Sequence, residues 1–150
     1  MKIPRFDNAH ILTIGDAMLD RYWHGDTHRV SAEAPIPVID VSSIEDRPGG
    51  AANVALNVAT LGAASSLIAA TGQDEMSDIL ESKLSSSGID CRFIRVEGMS
   101  TITKVRLVSR SQQMIRADFE ALFDIDADQV LKGMDLVPEY DSVVLSDYDK

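Results

Sequence analysis

The chain has 150 residues, 45% hydrophobic and 25% charged, the composition of one globular domain of ordinary size. Its 14 Lys and Arg against 24 Asp and Glu leave a net charge of -10, which disfavours general attraction to nucleic acid or to anionic membranes and leaves any anionic ligand to a local basic cluster. The single cysteine, Cys91, rules out an internal disulfide or a multi-cysteine metal site and fits a reducing cytoplasm, and no apolar run approaches the roughly 20 residues of a membrane helix.

In chain order, "HILTIGDAMLD" carries a short apolar run, Ile11 to Ile14, that reads as a buried strand opening at Asp16. From Arg21 to Gly50, prolines alternate with short apolar stretches around Val38, Val41 and Ile44. This segment reads as an edge strand or ribbon, because Pro35 and Pro37 do not fit a central ladder. Gly49 and Gly50 then precede a helix with Ala51, Val54, Ala55, Val58 and Leu61 at helical spacing and Gly62 as its stop. "SLIAATG" is a second buried strand, and "DEMSDILESKLSSSGI" a helix with Met76, Ile79, Leu80 and Leu84 inward and Gly88 at its end.

"CRFIRVE" is a further strand, and "TITKVRLVS" with "QMIRADFE" a hairpin turning around Arg110 to Gln112. "DADQVLKGMDLV" is expected to be helical and "YDSVVLSD" to be a buried strand ending in Asp147. Strands alternating with helices predict an α/β fold built on an open, mainly parallel sheet, with the ribbon and the hairpin as additions. The sheet is expected to be incomplete on its C-terminal side, since no crossover helix follows the last strand before Lys150.

Ligands of open parallel sheets sit beyond the carboxyl ends of the strands. Asp16 and Asp20 after the first strand, Gly49, Gly50 and Asn53 at the helix start, and Asp147 after the last strand are placed at such points. Carboxylates and a carboxamide suit the paired hydroxyls of a sugar. The two glycines serve either a close-packed turn or the approach of a ligand to bare backbone. By the residues alone, Asp16 reads first as a cap or turn residue and Asp147 as a loop aspartate at a strand end.

In the hairpin, Lys104 and Arg106 share one strand face, Arg110 and Arg116 follow, and no acid lies between Gly98 and Ala117. Such a set suits a phosphate, or else a solvated strand face that discourages edge-to-edge pairing. His10, His24 and His28 lack metal-ligand spacing, and no metal site is expected. Tyr22 and Trp23 are either core aromatics of the ribbon or a pocket wall, and Cys91 reads as a packing residue. Neither a Walker phosphate loop nor a GxGxxG motif is present.

Together, "GDAMLDRYWHG", "EDRPGGAANVALNVATLGA", "TITKVRLVSRSQQMIRADFE" and "VVLSDYDK" resemble the ribokinase-like (PfkB) sugar kinases, and within them the heptose 7-phosphate kinases. The resemblance spans the whole chain. It implies that Asp20 grips the sugar with Asp16 beside it, and that Gly49, Gly50 and Asn53 complete the contacts. It also implies that segments at about 22–46 and 101–119 form a β-lid which often doubles as a homodimer interface.

Lys104, Arg106 and Arg116 are the candidates for the phosphate of a sugar-phosphate substrate. The implied reaction moves the γ-phosphoryl group of ATP, with Mg²⁺, to the anomeric hydroxyl of heptose 7-phosphate, in the supply of activated heptose for the lipopolysaccharide core. The family's "GAGD"-type motif, which carries its catalytic base, has no match in residues 1–150. The ATP side and any adenylyltransferase domain are therefore expected downstream, and this stretch alone is expected to be inactive. A non-catalytic sugar-phosphate binding module, a dimerising lid fragment and a kinase for another sugar remain open as alternatives.

Overall fold

A computed structural model describes residues 6–120 and 137–149. The first strand, β1 (His10–Gly15), is followed after one residue by β2 (Ala17–Val30), then by β3 (Pro37–Gly50) and directly by α1 (Ala51–Thr60). The chain continues through β4 (Ala64–Gly72), α2 (Glu75–Ser86), β5 (Asp90–Val96), β6 (Thr103–Ser109) and β7 (Gln112–Phe119). A 3-10 turn at Val137–Glu139 leads into β8 (Ser142–Ser146). The helix expected across 126–137 lies outside the described residues apart from Val137, which belongs to that turn.

The strands form two four-stranded sheets. One is parallel throughout, in the order β5-β4-β1-β8, and the other has the order β3-β2-β6-β7. The α/β class with a parallel sheet is thus as expected. The ribbon and the hairpin, separate in the local pattern and joined in one β-lid only by the resemblance, are the two halves of the second sheet, linked by parallel pairing of β2 with β6.

That pairing makes β2 central, whereas the sequence suggested an edge. Pro37 opens β3 and Pro48 lies within it, and β3 is an outer strand, where a missing ladder donor is tolerated. Asp20, expected in a loop after β1, sits instead inside β2. Ala17, Met18 and Leu19 are all buried, and pairing with β3 and β6 carries the strand straight past the acid.

The core lies between the parallel sheet and its helices. Leu67 of β4 and Leu80 and Leu84 of α2 are fully buried there, each contributing about 1.5–3 kcal/mol of transfer free energy. On α1 the buried stripe is Ala51, Ala52 and Ala55, while Leu61, expected inward, is 59% exposed. Small side chains are required because the helix starts against the β1–β2 junction, where the Ala51 N–H donates to the Asp16 carbonyl at 2.9 Å. Gly62 ends the helix in the left-handed region, at φ +94°.

The second helix follows the sequence reading closely. Its N-cap is Asp74, whose Oδ1 accepts the Ser77 N–H at 3.0 Å, and Met76 and Ile79 pack against the buried leucines.

Candidate functional site

The second sheet rises from the carboxyl-end side of the first, and its two faces differ. On β2, residues alternate between faces, so Asp20 and Tyr22 point one way and Arg21 and Trp23 the other. Asp20 and Tyr22 join Arg47, Gly49, Gly50 and Asn53 around a cleft of about 480 Å³ that also reaches Lys83 and Ser87 of α2. The opposite face lines an apolar cavity of about 460 Å³ with Trp23, Val105, Leu107 and Phe119. Tyr22 and Trp23 therefore part company, the one walling the cleft and the other the apolar cavity.

The turn at Gly49 and Gly50 answers to the protein's own atoms. A Cβ on Gly49 would stand 2.5 Å from Asp20 Oδ2 and 2.8 Å from Met18 Cγ, and one on Gly50 would run into the Asp16 carbonyl. Gly50 also holds φ +56° and ψ −133°, a conformation closed to residues with a side chain. Because β3 passes into α1 without a loop, α1 has no side-chain cap. Asn53, in its first turn, leaves its carboxamide without a hydrogen-bond partner among the described residues.

Asp20 is opposite Arg47 on one side and Lys104 on the other. Its ion-pair partner is neither of these. Arg106, two residues further along β6, reaches back so that its guanidinium donates to Asp20 Oδ1. Both side chains are largely buried, at 17% and 20% exposure. The same guanidinium lies 5.2 Å from the centre of the Tyr22 ring, and that of Arg47 lies 4.5 Å from it, so two planar cations share one aromatic. Arg47 is also held by a bidentate pair with Glu45, at 2.7 and 2.9 Å, and that hydrogen bonding draws the Glu45 carboxyl below its ordinary value.

Other sequence candidates are placed elsewhere. Lys104 donates to Asp118 at 3.0 Å and to Glu120 at 3.1 Å, and Arg116 donates to Asp118 at 2.8 Å, so both cations engage acids of β7 and its end and do not line the cleft. Asp16 ties segments together, with Oδ2 accepting the Tyr148 N–H at 2.6 Å and its own N–H donating to Ser146 at 3.0 Å. Asp147 accepts the Asp149 N–H at 2.8 Å and closes its own turn. Among the described residues, no cluster of three or more His, Cys, Asp or Glu could hold a metal ion, and no helix is long and apolar enough to cross a membrane.

Sequence reasoning did not single out Arg47 or Lys83 as cleft residues. The signal for Arg47 was its place two residues before Gly49, on the same strand face. Lys83 carried no comparable mark, because only the packing of α2 brings it to the cleft.

A parallel sheet flanked by helices with a second sheet beside it is the fold of solved sugar kinases. A sugar kinase from Pyrococcus horikoshii superposes with a TM-score of 0.65 at 25% identity, covering 91% of this chain and 42% of that one. Ribokinase from Cryptococcus neoformans var. grubii serotype A in complex with ADP superposes at 0.61 with 19% identity, covering 92% and 40%, which is a likeness of fold. The sequence profile of the pfkB family carbohydrate kinases matches residues 8–148, and the chain belongs to that family.

Among curated proteins, it is 50% identical over 151 residues to the bifunctional protein HldE of Ectopseudomonas mendocina, covering all of this chain and 32% of that protein. It is 53% identical over 157 residues to HldE of Pseudomonas putida strain GB-1, again covering all of this chain and 32% of that protein. The chain thus spans about a third of the length of the curated relatives it matches.

Proposed function

We propose that these residues form the acceptor-sugar side of a kinase that transfers the γ-phosphoryl group of ATP to the anomeric hydroxyl of heptose 7-phosphate. The observation that carries this reading is the meeting of Asp20, Asn53 and the Gly49-Gly50 strand end around one cleft, with Arg106 paired to Asp20 at its edge, in a chain half identical to the HldE proteins. The seven-carbon acceptor rests on the likeness of the ribbon and hairpin sequences to heptose kinases.

Each group has a chemical task in this scheme. Asp20 accepts hydrogen bonds from sugar hydroxyls, Asn53 both donates and accepts, and the glycine backbone allows the ring to approach. Arg106, with Arg47 beside it, is suited to the existing phosphate by its planar donor fork, and Lys104 and Arg116 set the strand that carries Arg106. Asp16 fixes the start of α1 relative to the end of β8, and Asp147 shapes the loop after that strand.

In the transfer, the bond from the anomeric oxygen to the γ-phosphorus forms as the bond to the bridging oxygen of ADP breaks. The hydroxyl proton passes to a general base, a role assigned to none of the described residues. Catalysis of this kind depends on positioning and on stabilising charge, and closing the second sheet over the sugar keeps water from acting as acceptor. No acidic cluster among the described residues suits Mg²⁺, so no step is assigned to a metal held here. The exposed Ile44, Ile115 and Phe119 on the face away from the cleft suit a homodimer through the second sheet, and a reaction that draws on ATP and a sugar phosphate belongs in the cytoplasm.

Calorimetric titration of the full-length protein carrying this sequence with heptose 7-phosphate tests the reading. Saturable binding that Asp20→Asn weakens by about tenfold or more is expected, the scale of a lost charge-assisted hydrogen bond. A folded protein that binds no sugar phosphate sinks it.

A further inference from the structure

The acid best placed to receive sugar hydroxyls is already occupied. Arg106 donates to Asp20 Oδ1, while Oδ2 is packed over Gly49, so an incoming sugar meets a carboxylate with one oxygen capped and the other against backbone. A neutral sugar that takes the Arg106 side of Asp20 displaces the ion pair and leaves the partly buried guanidinium without a new partner. A phosphorylated sugar brings that partner with it.

We propose that the Asp20–Arg106 pair makes the cleft select for acceptors that already carry a phosphate. Arg106 leaves Asp20 for the incoming phosphate, and the freed carboxylate receives the hydroxyls. The inference rests on the sugar-kinase reading of the cleft and adds to it a device for choosing among sugars.

Three features support this exchange. The Arg106 guanidinium lies against the Tyr22 ring, a flat surface over which a planar cation can pivot without losing its contact. Arg47 lies against the same ring, so a dianion arriving there meets two donor forks, one of them already balanced by Glu45. Lys83, which also lines the cleft, has no ion-pair partner among the described residues and adds uncompensated positive charge. The other hairpin cations do not compete for the role, since Lys104 and Arg116 are engaged with acids.

The test compares heptose 7-phosphate with the same heptose lacking the phosphate, by calorimetry on the full-length protein and its Arg106→Gln and Arg106→Lys variants. In the unaltered protein the phosphorylated sugar binds more tightly by about a hundredfold, the scale of two charge-assisted contacts. Arg106→Gln weakens the phosphorylated sugar by about tenfold or more and, diagnostically, tightens the unphosphorylated one, because Asp20 is no longer capped. A merely structural arginine would weaken both together, and that result, or an unchanged preference, overturns the inference.

Should Arg106→Gln fail to give a cooperative melt, Arg106→Lys decides. Retained but reduced preference supports the exchange, and undiminished preference contradicts it. An unaltered protein that binds neither sugar removes the sugar-kinase reading itself, whereas one that binds both sugars equally removes only the selection.

Discussion

Asp20 Oδ2 stands 2.5 Å from the point a β-carbon on Gly49 would occupy, so the acid and the glycine are fitted to one another across the β2–β3 ribbon. Gly49→Ala must push the carboxylate aside. It is expected to cost about 1–3 kcal/mol in stability and to weaken sugar-phosphate binding as Asp20 moves. Gly50→Ala is expected to cost more, because the obstacle there is the Asp16 backbone carbonyl and the conformation itself excludes a side chain. Urea denaturation of the two variants, read beside titration with the sugar phosphate, checks the order. A Gly50→Ala protein as stable as the parent would contradict it.

Asp74 adds acid sensitivity to the fold. Burial acts to raise its carboxyl, but hydrogen bonds from the Thr101 hydroxyl at 2.6 Å, the Thr101 N–H at 2.8 Å and the Ser77 N–H at 3.0 Å outweigh it and hold the group below the ordinary carboxylate value. A carboxyl depressed on folding adds stability that is complete above its unfolded value of about 3.9 and is lost as pH falls through the folded value. Asp74→Asn, which can still cap α2, is expected to flatten the loss of stability in that acid range. Denaturation midpoints measured from neutral pH downward would reject this if parent and variant fell in parallel.

Lys104 is expected to matter to the second sheet and little to ligand. With its side chain 15% exposed and two acids around it, Lys104→Ala should lower stability by about 0.5–1.5 kcal/mol. Sugar-phosphate affinity should stay within about twofold, since no charge-assisted contact to the ligand is removed. A loss of affinity as large as that of Arg106→Gln would place the phosphate on this strand position instead.

Cys91 is chemically quiet. Burial pushes its thiol up to about 11, a shift the hydrogen bond involving Ser85 only partly offsets. At pH 8 its alkylation is expected to run roughly a hundredfold slower than that of an unfolded cysteine and to recover in denaturant. Equal rates in the folded and unfolded protein would show the thiol to be open.

Much of the parallel sheet was legible because its strands are short apolar runs with glycines or acids at their ends, as in Ile11 to Ile14 and the stretch up to Gly72. The hairpin was legible too, although its turn uses Arg110 and Ser111 at φ +49° and +67°, where glycine or asparagine is usual. Hidden was the pairing of β2 with β6, which joins Asp20 to a strand more than 80 residues later and follows from no local pattern. The same long-range register decides which basic side chain reaches Asp20. Charge and strand face pointed to Lys104 and Arg106 alike, and only the position of Asp118 across the hairpin separates them. The fate of Asp16 was hidden for a related reason, since its partner lies 132 positions away.

That last contact governs when the site can exist. Asp16 holds Ala51 by its carbonyl, Ser146 by its N–H and Tyr148 by its carboxylate, so the entry to α1 is locked from both ends of the described chain. During synthesis Asp20 and the two glycines leave the ribosome early, yet this lock cannot close until Tyr148 has also emerged. Until then the growing polypeptide has the residues that grip a sugar but not the clasp that holds them in place.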